Sequence, residues 1–225
     1  MALTLYYHPF SSYCFKALIA LYENGTPFTP RPTNLYDPES AAELKKLWPI
    51  GKFPVLHDAA RQQTVPESSI IIEYLGLHYR GTSQLVPTDP DLARQARMRD
   101  RFYDFYVMDA AGKVIANHFR PADQKDAIGV EAGNKTLATA YAMIEQEIGD
   151  QTWALGEIFT MADCAAAPAL FYADMVAPLP KNAAAYLLRL MNRPSFNRVL
   201  KEAEPHLMDA FPYKEKFRAS IQRVI

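Results

Sequence analysis

Apolar and polar positions alternate from Leu3 to His8, with Leu3, Leu5 and Tyr7 on one face and Thr4, Tyr6 and His8 on the other, which predicts a strand that Pro9 ends. Cys14, Ala17, Leu18, Leu21 and Tyr22 then recur at helical spacing until Asn24-Gly25 stops the helix. Phe28 to Arg31 reads as a second strand, and the crowding of Pro27, Pro30 and Pro32 puts it at a sheet edge. Glu39 to Leu47 is a short helix closed before Pro49. Val55-Leu56-His57 and Gln63-Thr64-Val65 form a hairpin around a polar turn, Asp58 to Gln62, and Pro66 ends its second strand. From Glu67-Ser68-Ser69 a further helix opens, with Ile70, Ile71, Tyr74, Leu75 and His78 as its apolar positions.

Arg80 to Pro90 is rich in turn residues, and beyond Asp91 no segment has the period of a strand. Asp91 to Phe119 reads as one long helix with an aromatic patch at Phe102, Tyr103, Phe105 and Tyr106, and a bend is expected at Gly112. Asp123 to Ile148 follows as a second, loosened by Gly129 and Gly133. Thr160-Met161-Ala162-Asp163 is a capping-box variant opening the apolar run Cys164 to Val176, where Pro168 should bend the helix. Ala183 to Asn192 and Pro194 to Ala203 are two more helices, and the aromatic tail from Pro205 is expected to cover a cleft or to pack on the first domain.

The predicted fold class is therefore α+β: a thioredoxin-like N-terminal domain over residues 1–80, a linker at 81–90, and an all-α helical domain over 91–225. The chain has 225 residues, enough for two domains that each bury a core. A formal net charge of −1 argues against non-specific binding to nucleic acid, and no apolar run is long enough to span a membrane. The first ten residues lack a basic n-region and cleavage site, and Cys14 and Cys164, the only cysteines, suit free thiols in a reducing compartment; a cytoplasmic location is expected. No cluster has metal-ligand spacing, and no Gly-rich phosphate loop occurs.

Two short stretches carry chemistry. A cis bond at Phe53-Pro54, just before the hairpin, would turn the backbone N–H and C=O of Phe53 outward. At Glu67-Ser68 a helix start offers free N–H groups, a hydroxyl and the positive dipole end, a combination suited to a carboxylate. The pattern G-K-F-P-V-L followed by P-E-S-S-I-I-I-E-Y-L resembles the glutathione-binding half of the cytosolic glutathione transferases. The resemblance covers nearly the whole chain, although Trp48 stands where many relatives carry a small polar residue before the proline.

The resemblance implies that Phe53 and Pro54 hold the cysteinyl backbone of glutathione, Glu67 and Ser68 its γ-glutamyl carboxylate, and Lys52 the glycyl end; an ordinary solvated lysine is the alternative for Lys52. Thr160 and Asp163 take a folding role. A serine in the turn P-F-S-S-Y-C would donate its hydroxyl to the sulfur, as in zeta, theta and tau classes, which makes Ser11 the first candidate and Ser12 the alternative. The plain alternative is that Ser11 and Ser12 simply cap the helix, and a tyrosine-type site at Tyr6 or Tyr7 is the other possibility. His8 reads as a strand-end residue, and Cys14 as buried and protonated.

The expected activity is attack of the glutathione thiol, as co-substrate and with no metal, on a small hydrophobic electrophile held in an interdomain cleft against Phe10, Tyr103, Tyr106 and Val107. A homodimer, with the start of the long helix at the contact, is implied. The alternatives are a glutathione-dependent isomerase, a thiol transferase, and a non-catalytic binding protein; the full set Ser11, Phe53-Pro54 and Glu67-Ser68 argues against the last.

Overall fold

The computed structural model describes residues 2–223. The chain divides into two compact units, Met1–Val86 and Pro87–Ile225.

In the first unit, strands β1 (Leu3–Tyr7), β2 (Thr29–Pro32), β3 (Val55–Asp58) and β4 (Gln63–Pro66) form one mixed sheet in the order β2-β1-β3-β4. Strand β1 runs parallel to β2 and antiparallel to β3, with Leu5 opposite Leu56. The proline-rich β2 lies at an edge and is exposed throughout, the place where missing N–H donors cost least. Leu3, Leu5, Leu56 and Val65 share one buried face, and Val55 is buried on the other.

Helices α1 (Ser12–Asn24), α2 (Pro38–Leu47) and α3 (Ser68–His78) complete the unit, and α1 and α3 pack on each other. Helix α1 ends as its sequence predicts: Gly25 takes the left-handed conformation (φ 64°) that a glycine enters without a Cβ penalty. On α3 the buried stripe is Ile71, Ile72, Tyr74 and Leu75, while Ile70 and His78, expected on it, face solvent.

Asp58 also departs from expectation. Placed by sequence in a solvated turn, it ends β3 with no exposed surface and collects four donors. These are the hydroxyls of Tyr74 (2.7 Å) and Tyr79 and the backbone N–H groups of Ala60 (3.0 Å) and Arg61 (3.2 Å). The carboxylate thus fixes the hairpin turn and ties the far end of α3 to it. The stretch after α3 is anchored as well: Gly81 N–H donates to Asn24 Oδ1 (3.0 Å), and Ser83 Oγ to the Glu23 carbonyl (2.9 Å). At Gly81 a Cβ would lie 1.8 Å from the Asn24 carbonyl oxygen, so only glycine fits this approach.

The second unit is helical: α4 (Pro90–Phe102), α5 (Asp109–Phe119), α6 (Ala127–Ile148), α7 (Met161–Val176), α8 (Lys181–Asn192), α9 (Pro194–Ala203) and α10 (Lys214–Gln222). Helix α7 packs against α4, α5 and α8, and its alanines let those neighbours approach closely. The helix runs unbroken through Pro168. Its start is the expected capping box with more attached. Asp163 accepts from the Thr160 N–H (2.8 Å), the Ala154 N–H (2.8 Å) and the Tyr186 hydroxyl (2.6 Å), and so joins α7, α8 and the loop before α7.

The long helix expected over 91–119 is interrupted at Tyr103–Met108 by a π-helical turn, whereas Gly112 sits in regular α-helix. The wider turn buries Tyr103 and Val107 and leaves Phe105 and Tyr106 outside. Helix α6 begins later than expected, at Ala127, because Asp126 caps it through the Gly129 N–H (2.7 Å). The tail packs within its own unit: Phe217 of α10 is fully buried, edge-on to Phe171 of α7 at 5.1 Å.

Candidate active site

The first unit gathers the predicted glutathione residues on three loops. The first joins β1 to α1. Pro9 follows His8, the Ser11 N–H donates to the His8 carbonyl (3.1 Å), and the Phe10 N–H donates to His8 Nδ1 (3.1 Å). Proline at the second position of such a turn has the φ the turn needs. Ser11 is the N-cap residue of α1, extended and half-buried. Its hydroxyl does not cap the helix and lies near enough to Cys14 to pull that thiol's pKa down. Ser12, inside the first turn, is 8% exposed.

Cys14 is fully buried and accepts from the His8 N–H (3.4 Å). Burial pushes its thiol up to about 12, against the opposing pull of the Ser11 hydroxyl and the His8 N–H. A thiol held that high is protonated at neutral pH and a poor nucleophile. Burial, and then the nearby Glu43 carboxylate, raise the Tyr6 pKa.

The second loop carries Phe53-Pro54, and the bond is cis. The β1–β3 ladder begins at the pair Tyr6–Val55, so Phe53 lies just beyond it. Among the described residues its backbone makes no hydrogen bond. The ring of Phe53 stacks on that of His8, with centroids 5.6 Å apart and planes 19° apart. Lys52 is exposed.

The third loop is the start of α3. Glu67 occupies φ 71°, ψ 121°, a region that a side chain other than glycine's rarely enters. No side chain caps the helix, and among the described residues the Ser68 hydroxyl makes no hydrogen bond although Ser68 is only 5% exposed. The N–H groups of the first turn therefore face outward with the dipole's positive end. One residue further, Ser69 Oγ accepts from Lys16 Nζ (2.8 Å), a lysine of α1 that is itself 1% exposed.

Of the residues expected to touch an electrophile, Phe10 is half-buried and Tyr106 is 55% exposed. Tyr103 and Val107 are enclosed, and burial raises the Tyr103 pKa. His8, read from the sequence as a strand-end residue, directly follows β1, and its part in the turn, through its carbonyl and Nδ1, was not read from the sequence. Among the described residues no group of three or more His, Cys, Asp or Glu side chains is arranged to hold a metal ion.

A small mixed sheet with helices packed beside it, followed by an all-helical unit, defines a thioredoxin-like protein with a C-terminal helical domain. Comparison with known proteins identifies the family. The model for the glutathione S-transferase N-terminal domain matches residues 5–83, and that for the glutathione S-transferase C-terminal domain matches residues 127–201. Glutathione S-transferase U19 of Arabidopsis thaliana is 31% identical over 157 residues, which is 69% of this chain; the match spans 66% of that relative's length. A glutathione S-transferase from Methylobacillus flagellatus, solved with glutathione bound, superposes with a TM-score of 0.77 at 25% identity, covering 88% of this chain and 98% of the other. One from Methylobacterium radiotolerans, in complex with glutathione sulfonate, gives 0.74 at 29% identity over 88% and 93%. The chain belongs to the glutathione S-transferase family.

Proposed function

We propose that the protein is a serine-type glutathione transferase, joining the sulfur of glutathione to a small hydrophobic electrophile. The observation that carries this is the start of α3, where a residue at positive φ, the accessible and unpaired hydroxyl of the otherwise buried Ser68 and uncapped N–H groups coincide. Backbone held in a sparsely populated region costs about 1–3 kcal/mol and persists where the surroundings or a ligand require it. A carboxylate there, the γ-glutamyl end of glutathione, meets several donors and a favourable dipole. Glutathione bound at that end would lay its cysteinyl backbone against the unpaired backbone of Phe53, just before β3.

The sulfur then falls to Ser11. A free thiol of pKa about 8.5 is mostly protonated at neutral pH. A hydroxyl donor and the N-terminus of α1 both favour the thiolate, whose proton passes to solvent; the thiolate forms the C–S bond as the electrophile's leaving group departs with its electron pair, or as an activated double bond takes up that pair, while Ser11 keeps its own proton. Ser11 serves as donor, not nucleophile, and needs no base. It is preferred to Ser12 because its hydroxyl is at the helix cap without capping. Tyr106, the exposed ring of the π turn, is the helical-unit residue best suited to touch an electrophile. Leu92 and Met98, exposed apolar residues of α4, support a homodimer joined there. The two free cysteines support a reducing, cytoplasmic setting.

Substitution at position 11 tests the assignment. Ser11→Ala should lower conjugation about tenfold to a hundredfold, the worth of one charged hydrogen bond, with glutathione affinity nearly unchanged. Ser11→Cys should gain reduction of a small glutathione mixed disulfide. If the parent already catalyses that reduction and Cys14→Ser abolishes it, the working group is the thiol and the serine-type assignment is wrong.

A further inference from the structure

We infer that His8 is a positioning residue that sets Ser11 against Phe53, aligning the two places where the cysteinyl part of glutathione is held; this rests on the function proposed above. His8 has a separate bond for each task. Its carbonyl accepts the Ser11 N–H (3.1 Å), its Nδ1 accepts the Phe10 N–H (3.1 Å), and its own N–H donates to Cys14 Sγ (3.4 Å) one turn into α1. The imidazole face meanwhile stacks on Phe53 at 5.6 Å and 19°.

The ring therefore acts in two chemically distinct ways. As an acceptor, Nδ1 closes the turn that aims the Ser11 hydroxyl; a nitrogen that accepts carries no proton, so the imidazole is neutral with its proton on Nε2. As a flat apolar face, the ring holds Phe53, whose outward backbone would pair with the cysteinyl amide. Acceptor and face are separable by substitution. Asparagine places an oxygen where it accepts from the N–H two residues on, a common turn device, but it has no ring. Phenylalanine keeps the ring and loses the acceptor.

The readouts are the dissociation constant of glutathione, by calorimetry, and the apparent pKa of its bound thiol, from ultraviolet thiolate absorbance; neither needs an electrophile. His8→Phe should raise that thiol pKa by about one unit, a tenfold loss of thiolate, with affinity within about threefold of the parent. His8→Asn should keep the parent's thiol pKa and bind glutathione several-fold more weakly. Thermal melts of each variant confirm that it is folded. Should the parent bind no glutathione, or bind it with an unshifted thiol, the proposed function falls. Should the parent do both while the two variants change together, or not at all, only the role of His8 is overturned.

Discussion

Removing the Asp58 carboxylate should unfold the first unit more readily than any surface change, and the cost follows from its four donors. Hydrogen bonds to a charged group contribute about 1.5–3 kcal/mol each. The Tyr74 hydroxyl is buried and has no water to turn to, so its full penalty applies. Tyr79 and the two turn N–H groups are only partly covered, and water replaces part of their loss. Together these give about 3–5 kcal/mol for Asp58→Ala, a large share of the roughly 5–15 kcal/mol that holds a domain folded. Burial alone would raise the Asp58 pKa, but the hydroxyls of Tyr79 and Tyr74 and the two N–H groups outweigh it and hold the carboxyl below its usual value. The unfolded chain therefore binds the proton more readily. Asp58's contribution is complete above an unfolded pKa of about 3.9 and is lost as pH falls through the lower folded value. Hydrogen exchange at the α3 amides, with urea titrations at pH 7 and pH 3, measures both parts. A deficit under about 1 kcal/mol at pH 7, or one that fails to shrink at pH 3, would refute this account of the network.

Two further substitutions probe the helical unit. Asp163→Ala leaves the Thr160 and Ala154 N–H groups and the Tyr186 hydroxyl without their acceptor, and should cost about 3 kcal/mol or more in urea unfolding, with Tyr186→Phe recovering part of the loss in a double-mutant cycle. Gly133→Ala would set a Cβ 2.9 Å from the Ala110 carbonyl oxygen, where α6 meets α5; it should destabilise by about 1–3 kcal/mol despite alanine's better helix propensity, and a stabilised variant would contradict that close approach.

The elements legible in the sequence are those whose signals are local. The alternation of Leu3 to Tyr7, the Gly25 stop of α1 and the Thr160–Asp163 box each depend on residues within a turn or two. What was illegible depends on partners distant in sequence. Asp58 looks like a turn residue until Tyr74 and Tyr79 come back beside it, and Ile70 stands four residues before Tyr74, at helical spacing, but is on the solvent side. The π turn at Tyr103–Met108 changes which aromatics are buried without leaving any breaker residue to announce it. In the candidate site, the positions at Ser11, Phe53-Pro54 and Glu67-Ser68 followed from spacing and resemblance. The link among them through His8 required the fold, because Phe53 lies 45 residues from His8 in the chain.

The central claim is that the start of α3 holds a carboxylate of glutathione. Calorimetric titration of glutathione into the intact protein and into Ser68→Ala tests it most directly. Binding by the parent in the low-millimolar range or tighter, weakened in the variant by about 1.5–3 kcal/mol, is the predicted result. Equal affinities for the two proteins would contradict it.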